Sequence, residues 1–168
     1  MIRLERLVLK PFEDKDVDRL VELFKNEEIK ETYMIPSFDD ENKYLKLAQH
    51  FLTLSHDENR YVVGINLNNI LIGFINDVEI KNGTIELGYV IDPIYKNKGY
   101  CTEALKGSIN YLFKKGYVEI VCGAFTNNIP SIRVMEKAGL ILLNRMDKVS
   151  YKGIERDCIY YSIFKGME

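Results

Sequence analysis

Tyr89-Val90-Ile91-Asp92-Pro93-Ile94-Tyr95-Lys96-Asn97-Lys98-Gly99-Tyr100-Cys101-Thr102-Glu103-Ala104 is the stretch whose reading decides the fold. It reads as a strand, a glycine-containing loop and the first turn of a helix. Glu86 to Asp92 is β-rich and alternating, and Pro93 ends it, because proline cannot donate to a ladder. From Leu105 the apolar residues fall at Leu105, Ile109, Leu112 and Phe113, the stripe of an amphipathic helix. Between strand and helix sit Lys96, Lys98 and Gly99. A glycine there lets the backbone fold tightly, so that successive N–H groups converge at the helix N-terminus and form a seat for a pyrophosphate. Taken alone, Lys-x-x-Gly also suits an ordinary surface loop with two solvated lysines.

Working outward towards the N-terminus, Thr84 to Asp92 is entered from Asn82-Gly83, a strong hairpin signal because both residues tolerate positive φ. Leu71 to Ile80 is the preceding strand and Tyr61 to Ile65 the one before it, giving an antiparallel meander. Upstream, the spacing predicts a helix from about Asp40 to Ser55. Glu27 to Phe38 reads as irregular. A first helix carries Val17, Leu20, Val21 and Phe24 and is capped by Asp14. Arg3 to Lys10 alternates as one strand closed by Pro11.

Working outward towards the C-terminus, the helix Thr102 to Lys115 stops at Gly116 and leads into an apolar strand, Ile120 to Phe125. Strand, helix and strand form a crossover, which makes the two strands parallel. Asn128 caps a second helix, with Pro130 in its first turn and Gly139 past its end. Leu140 to Val149 and Arg156 to Phe164 form a terminal hairpin around Lys152-Gly153. The pattern is α/β, with about seven strands in a mixed, mostly antiparallel sheet and helices on both faces.

The totals set bounds. The 168 residues suit one domain, 1–168, with a real core. A net charge of −2 gives no global attraction to nucleic acid or an anionic membrane, so neither is expected as a partner. Cys101, Cys122 and Cys158 are an odd number without Cys-x-x-Cys spacing, which speaks against a zinc site or disulfide framework and fits a reducing cytoplasm. No apolar run approaches membrane-spanning length.

After the strand Ile120 to Phe125 comes Thr126-Asn127-Asn128-Ile129-Pro130-Ser131-Ile132-Arg133-Val134-Met135-Glu136-Lys137-Ala138-Gly139-Leu140. The two blocks, in this order and at this separation, resemble the GNAT superfamily of acetyl-CoA-dependent N-acetyltransferases. Lys96 to Cys101 is similar to that family's Gln/Arg-x-x-Gly-x-Gly/Ala loop. Asn128 to Gly139 is similar to the Asn-x-x-Ser-x-Arg-Val-x-Glu-Lys-x-Gly of its ribosomal-protein-alanine (RimJ/RimL-type) branch, and Glu5 to Phe12 resembles that branch's opening strand.

The resemblance implies the GNAT fold with a splayed central strand pair, acetyl-CoA as cosubstrate and no metal. It implies that the strand edge Tyr89, Val90 and Ile91 pairs with the pantetheine arm. The N–H groups of Asn97, Lys98, Gly99, Tyr100, Cys101 and Thr102 would hold the pyrophosphate, with Lys96 and Lys98 adding charge. Lys96 and Cys101 depart from the family pattern. Lysine keeps the charge but loses the guanidinium fork. Cys101 at a helix N-terminus invites a lowered pKa, yet direct transfer needs no cysteine and a structural role is expected.

An amine must lose a proton before attacking a thioester. Glu86 is the candidate base, on the same strand face as Gly88 and Val90, where Gly88 leaves room. It matches the glutamate of Glu-Leu-Gly-Tyr proposed as base in the RimL-like branch; the alternative is a surface glutamate on an edge strand. Ser131 is the candidate acid for the leaving thiolate and Asn128 a donor to the coenzyme arm, although both also suit first-turn capping. Arg133 can approach the coenzyme's phosphates. Met135 stands where many relatives have an acidic tyrosine and cannot donate a proton.

The expected function is direct acetyl transfer to an amine: a ribosomal or other protein N-terminus, a polyamine or an aminoglycoside-like small amine. A homodimer is allowed. The alternative is a non-catalytic acyl-CoA-binding module. For the amine pocket, Tyr33, Met34, Phe38, Tyr151 and Tyr160 are available. The acidic residues Glu27, Glu28, Glu31, Asp39, Asp40 and Glu41 are read first as helix-end solvation.

Overall fold

The computed structural model describes residues 1–167. Its elements in chain order are β1 (Ile2–Arg3), β2 (Val8–Lys10), α1 (Val17–Lys25), α2 (Glu27–Thr32), α3 (Glu41–Ser55), β3 (Val62–Leu67), β4 (Ile70–Lys81), β5 (Thr84–Ile91), α4 (Tyr100–Lys115), β6 (Glu119–Phe125), α5 (Ile129–Lys137), β7 (Ile141–Tyr151) and β8 (Ile154–Phe164). The strands are hydrogen-bonded in the order β1-β2-β3-β4-β5-β6-β8-β7. The sheet is mixed and mostly antiparallel, with β5 and β6 parallel as the crossover requires. Two compact units divide the chain: Met1–Asn76 with Tyr89–Cys101, and Asp77–Gly88 with Thr102 onward.

In the first unit, β1 to β3 and the first part of β4 form antiparallel ladders. The stretch expected as one strand, Arg3 to Lys10, is two short strands, because Leu4 N–H donates to the Leu7 carbonyl at 2.9 Å and turns the chain back. That turn supplies the eighth strand. Asp14 does not cap α1; it lies in a 3-10 turn, Asp14–Asp16, and Glu13 N–H donates to the Asp16 carboxylate at 2.8 Å. The segment read as irregular holds α2. Asn26 caps it by accepting from Ile29 N–H, Glu27 and Glu28 occupy its first turn, and Ile29 is buried.

The core of this unit gathers α1 to α3 and the strands around Phe74. Phe24, Tyr33 and Phe51 meet Phe74 edge-on at centroid distances of 5.7, 5.5 and 5.3 Å. One backbone contact is closer than any side chain would allow. A Cβ added at Gly73 in β4 would stand 2.2 Å from the Val90 carbonyl oxygen in β5.

In the second unit, β5 pairs with β6 from Thr84↔Glu119 to Leu87↔Cys122. β6 pairs along its whole length with β8, and β7 closes the edge. Asn82-Gly83 and Lys152-Gly153 turn their hairpins, all four with positive φ, as the sequence predicts. Gly116 (φ 107) and Gly139 (φ 93) end the two helices. α4 begins at Tyr100, two residues earlier than the spacing predicts. Among the described residues no helix is long and apolar enough to cross a membrane.

Gly73→Ala would drive a methyl group into the Val90 carbonyl, and relief requires β4 and β5 to part. Overpacking against backbone costs at least about 2 kcal/mol. We expect the thermal midpoint of Gly73→Ala to fall by about 5 °C or more. A variant with the wild-type midpoint would show that the two strands separate there at no cost.

Candidate active site

The expected site residues fall into two groups, one in each unit. In the first, β5 ends on a buried acid. Asp92 N–H donates to the Ile72 carbonyl at 2.8 Å. The Asp92 carboxylate pairs with Arg19 and accepts from Ile94 N–H at 3.0 Å, capping a 3-10 turn over Pro93–Tyr95. Arg19 Nε also donates to the Leu71 carbonyl at 3.2 Å. Val90 and Asp92 therefore turn backbone groups towards β4. By strand alternation those of Tyr89 and Ile91 face away from it. Of the three residues expected to form a coenzyme edge, Val90 has its carbonyl against Gly73 and its side chain buried in the core.

The loop then makes two left-handed steps, Asn97 at φ 59 and Gly99 at φ 78, immediately before the first turn of α4. Asn97, Lys98 and Gly99 are exposed. Such a path with a helix start at its end brings N–H groups together for an anion. Lys96 is paired with Glu28 of α2. Lys98 lies over the Tyr95 ring, 5.8 Å from its centroid.

Arg6, which sequence reasoning passed over, reaches this loop. Its Nη1 donates to the Lys98 carbonyl at 2.8 Å and its guanidinium lies 4.6 Å from the Tyr100 ring centroid. Burial pushes the Cys101 thiol up to about 12, the opposite of the lowering that a helix N-terminus alone would give, and the thiol stays protonated and inert.

The acidic run expected as helix-end solvation is largely neutralised locally. Glu27 pairs with Lys30 at 2.7 Å, Glu28 with Lys96, Asp39 with Lys43 at 3.0 Å and Glu41 with Lys25. Asp40 caps α3 by accepting from Asn42 N–H at 2.9 Å. Tyr33 is a core residue whose hydroxyl donates to Asn76 Oδ1 at 2.7 Å, while Met34 is exposed.

In the second unit, register places Glu86 on one face of the sheet with several polar groups. Glu86 is opposite Val121, Gly123 opposite Tyr160, and Asp147 opposite Cys158. Paired residues share a face and alternate residues return to it, so Glu86, Gly123, Tyr160, Cys158 and Asp147 lie on the same side. The Tyr160 ring fills the space above Gly123, where an added Cβ would stand 2.8 Å from it. The Arg145 guanidinium stacks on that ring at 3.7 Å from its centroid and pairs with Asp147 at 2.9 Å. Gly123 in mid-strand was the sequence signal for this close approach.

Glu86 is half-buried, and burial raises its carboxyl above the ordinary range. Arg145 opposes that shift, and Glu79 and Asp147 add to it. Burial also raises the Tyr160 phenol, which stays neutral.

Asn128 caps α5, its Oδ1 accepting from Ser131 N–H at 3.3 Å, as the sequence predicts. The donor group of this side chain is Nδ2. Ser131 is half-buried in the first turn, Arg133 is exposed and Met135 is wholly buried, a core residue.

The fold agrees with the comparisons. The acetyltransferase (GNAT) domain family matches residues 6–141. YnaD of Bacillus subtilis strain 168, an uncharacterized N-acetyltransferase, is 30% identical over 169 residues, covering 98% of this chain and 96% of its own. A GNAT-family acetyltransferase from Bacillus anthracis superposes with a TM-score of 0.83 at 27% identity, covering 97% of each chain. RimL, a ribosomal L7/L12 alpha-N-protein acetyltransferase solved in complex with coenzyme A, gives a TM-score of 0.81 at 18% identity over 99% of each chain; at that identity the likeness concerns the fold alone. The chain belongs to the GNAT acetyltransferase family.

The environment of Glu86 makes a stability prediction. Because its carboxyl is raised from about 4.5, the folded chain holds this proton at pH values where the unfolded chain has lost it. The ionised carboxylate therefore costs stability. The cost is absent below the unfolded value and complete once pH has passed the raised folded value. Glu86→Gln removes it, so the midpoint of the variant should rise relative to wild type as pH goes from acid to neutral. A difference independent of pH would mean that burial does not disfavour this charge.

Proposed function

We propose that this chain transfers the acetyl group of acetyl-CoA directly to a primary amine, with the coenzyme seated on the loop from Lys96 to Thr102. The observation that carries this reading is the pair of left-handed residues, Asn97 and Gly99, exposed and directly ahead of the first turn of α4. A pyrophosphate is the anion such a seat suits, and RimL, which shares the fold, is solved with coenzyme A.

Acetyl-CoA supplies a thioester carbonyl for the amine to attack. Backbone groups of Tyr89 and Ile91 pair with the pantetheine arm. N–H groups of Asn97 to Thr102 hold the pyrophosphate, with Lys98 adding charge, and Arg133 approaches the phosphates. Lys96 contributes less than its charge suggests, because Glu28 already pairs with it. Asn128 Nδ2 donates to the coenzyme arm.

Glu86 accepts the proton that the acceptor's ammonium must lose, directly or through one water. Its raised pKa improves it as a base for this task. Ser131 gives its hydroxyl proton to the leaving thiolate and regains one from solvent. The acceptor is a protein N-terminus or a small amine, and the Asn128-to-Gly139 block favours the RimJ/RimL-type branch. A cytoplasmic setting suits the coenzyme and the unbridged cysteines.

Thiol release from acetyl-CoA over a panel of amines tests the reading, and its absence with every amine would leave a coenzyme-binding module. For an amine that turns over, Glu86→Gln should lower kcat by about a hundredfold or more while KM for acetyl-CoA changes little. The acidic limb of the wild-type pH–rate profile should vanish or move in the variant. Near-wild-type kcat with the same limb would remove Glu86 from the mechanism.

A further inference from the structure

Three consecutive residues, the last two of the loop and the first of α4, meet one side chain from near the start of the sequence. Arg6 Nη1 donates to the Lys98 carbonyl at 2.8 Å across 92 positions. A Cβ on Gly99 would stand 3.3 Å from Arg6 Nη2, a tight contact that would push the guanidinium back by a few tenths of an ångström, so the guanidinium lies close over Gly99. The guanidinium stacks on Tyr100 at 4.6 Å from the ring centroid. One planar cation thus holds the Lys98 carbonyl and the Tyr100 ring and lies close to the glycine between them.

We propose that Arg6 is a positioning residue for the coenzyme seat, acting through the Lys98–Gly99 peptide; this rests on the reading of the loop as that seat. The peptide unit is planar and trans, so the Lys98 carbonyl and the Gly99 N–H point in opposite directions. When Arg6 takes the carbonyl on one side, the Gly99 N–H is turned to the other side, away from Arg6. Glycine at φ 78 does not itself enforce that orientation, because it populates several backbone basins at similar cost and the peptide before it is free to flip. Arg6 removes that freedom before any anion arrives, so the entropy of ordering one donor is not charged against binding. The guanidinium suits the task where an ammonium does not: one nitrogen bonds the carbonyl while the plane stays stacked on the ring.

The test measures coenzyme A affinity by calorimetry for wild type, Arg6→Ala and Arg6→Lys, with the thermal midpoint and the Gly99 amide resonance of each coenzyme-free protein. Arg6 is exposed, so the fold should tolerate both changes. Arg6→Ala should weaken coenzyme A binding about tenfold, the scale of one hydrogen bond to a charged group. The midpoint should stay near wild type and the Gly99 amide should shift or broaden. Arg6→Lys, which keeps a donor but loses the stacked plane, should fall between. Unchanged affinity in Arg6→Ala, with wild type binding, overturns the role of Arg6 alone. Weakened affinity with an unmoved Gly99 amide overturns the route through the peptide. No coenzyme A binding by wild type overturns the coenzyme seat itself, and the Arg6 proposal with it.

Discussion

The contact on which the first unit depends is the approach of Val90 to Gly73. It admits no side chain, and it sets β5 hard against β4 just before β5 ends. Two further bonds fix the ending itself. The Asp92 amide is held by the Ile72 carbonyl, and the buried Asp92 carboxylate is matched by Arg19 and by the Ile94 amide. A buried carboxylate is costly unless paired and hydrogen-bonded, and here it is both. The start of the loop is therefore placed by the core rather than by the loop's own residues. An exposed loop can then present its N–H groups from a fixed origin, which is what binding a phosphate in a defined register asks of it.

The second unit holds a half-buried carboxylate, Glu86, with the Arg145 cation acting on it. Glycines in adjacent strands, Gly88 and Gly123, lower the height of the sheet on the face that carries Glu86. The Tyr160 ring takes up the space over Gly123. Burial raises the Glu86 carboxyl, and Arg145, fixed between the Tyr160 ring and Asp147, limits the rise. The balance of one desolvation cost and one nearby cation is the usual way a glutamate is brought towards the working range of a base.

Much of this was legible in the sequence where a local signal has a local cause. Asn82-Gly83 and Lys152-Gly153 must turn, Asn128 must cap, and Gly116 and Gly139 must stop helices, because positive φ and orphan amides are decided within a few residues. The Lys96-to-Cys101 block announced its loop for the same reason. Two misses were local as well. The alternation of Arg3 to Lys10 runs unbroken through a turn that carries no glycine or proline, and α2 was hidden by its brevity although Asn26 and two glutamates marked its start. What the sequence could not show is contact across distance. Arg6 and Lys98 lie 92 positions apart, and nothing in either neighbourhood encodes their meeting. The pairing of Lys96 with Glu28 and the stacking of Arg145 on Tyr160 are of the same kind.

The central claim is that the loop ahead of α4 is the coenzyme's seat. The most direct test is a coenzyme A titration followed by amide resonances across the chain. If the claim is right, the largest shifts fall on Asn97 to Thr102, with Gly99 among the foremost, since these N–H groups meet the pyrophosphate. If coenzyme A binds while those amides keep their positions and the large shifts fall elsewhere, the seat has been put in the wrong place.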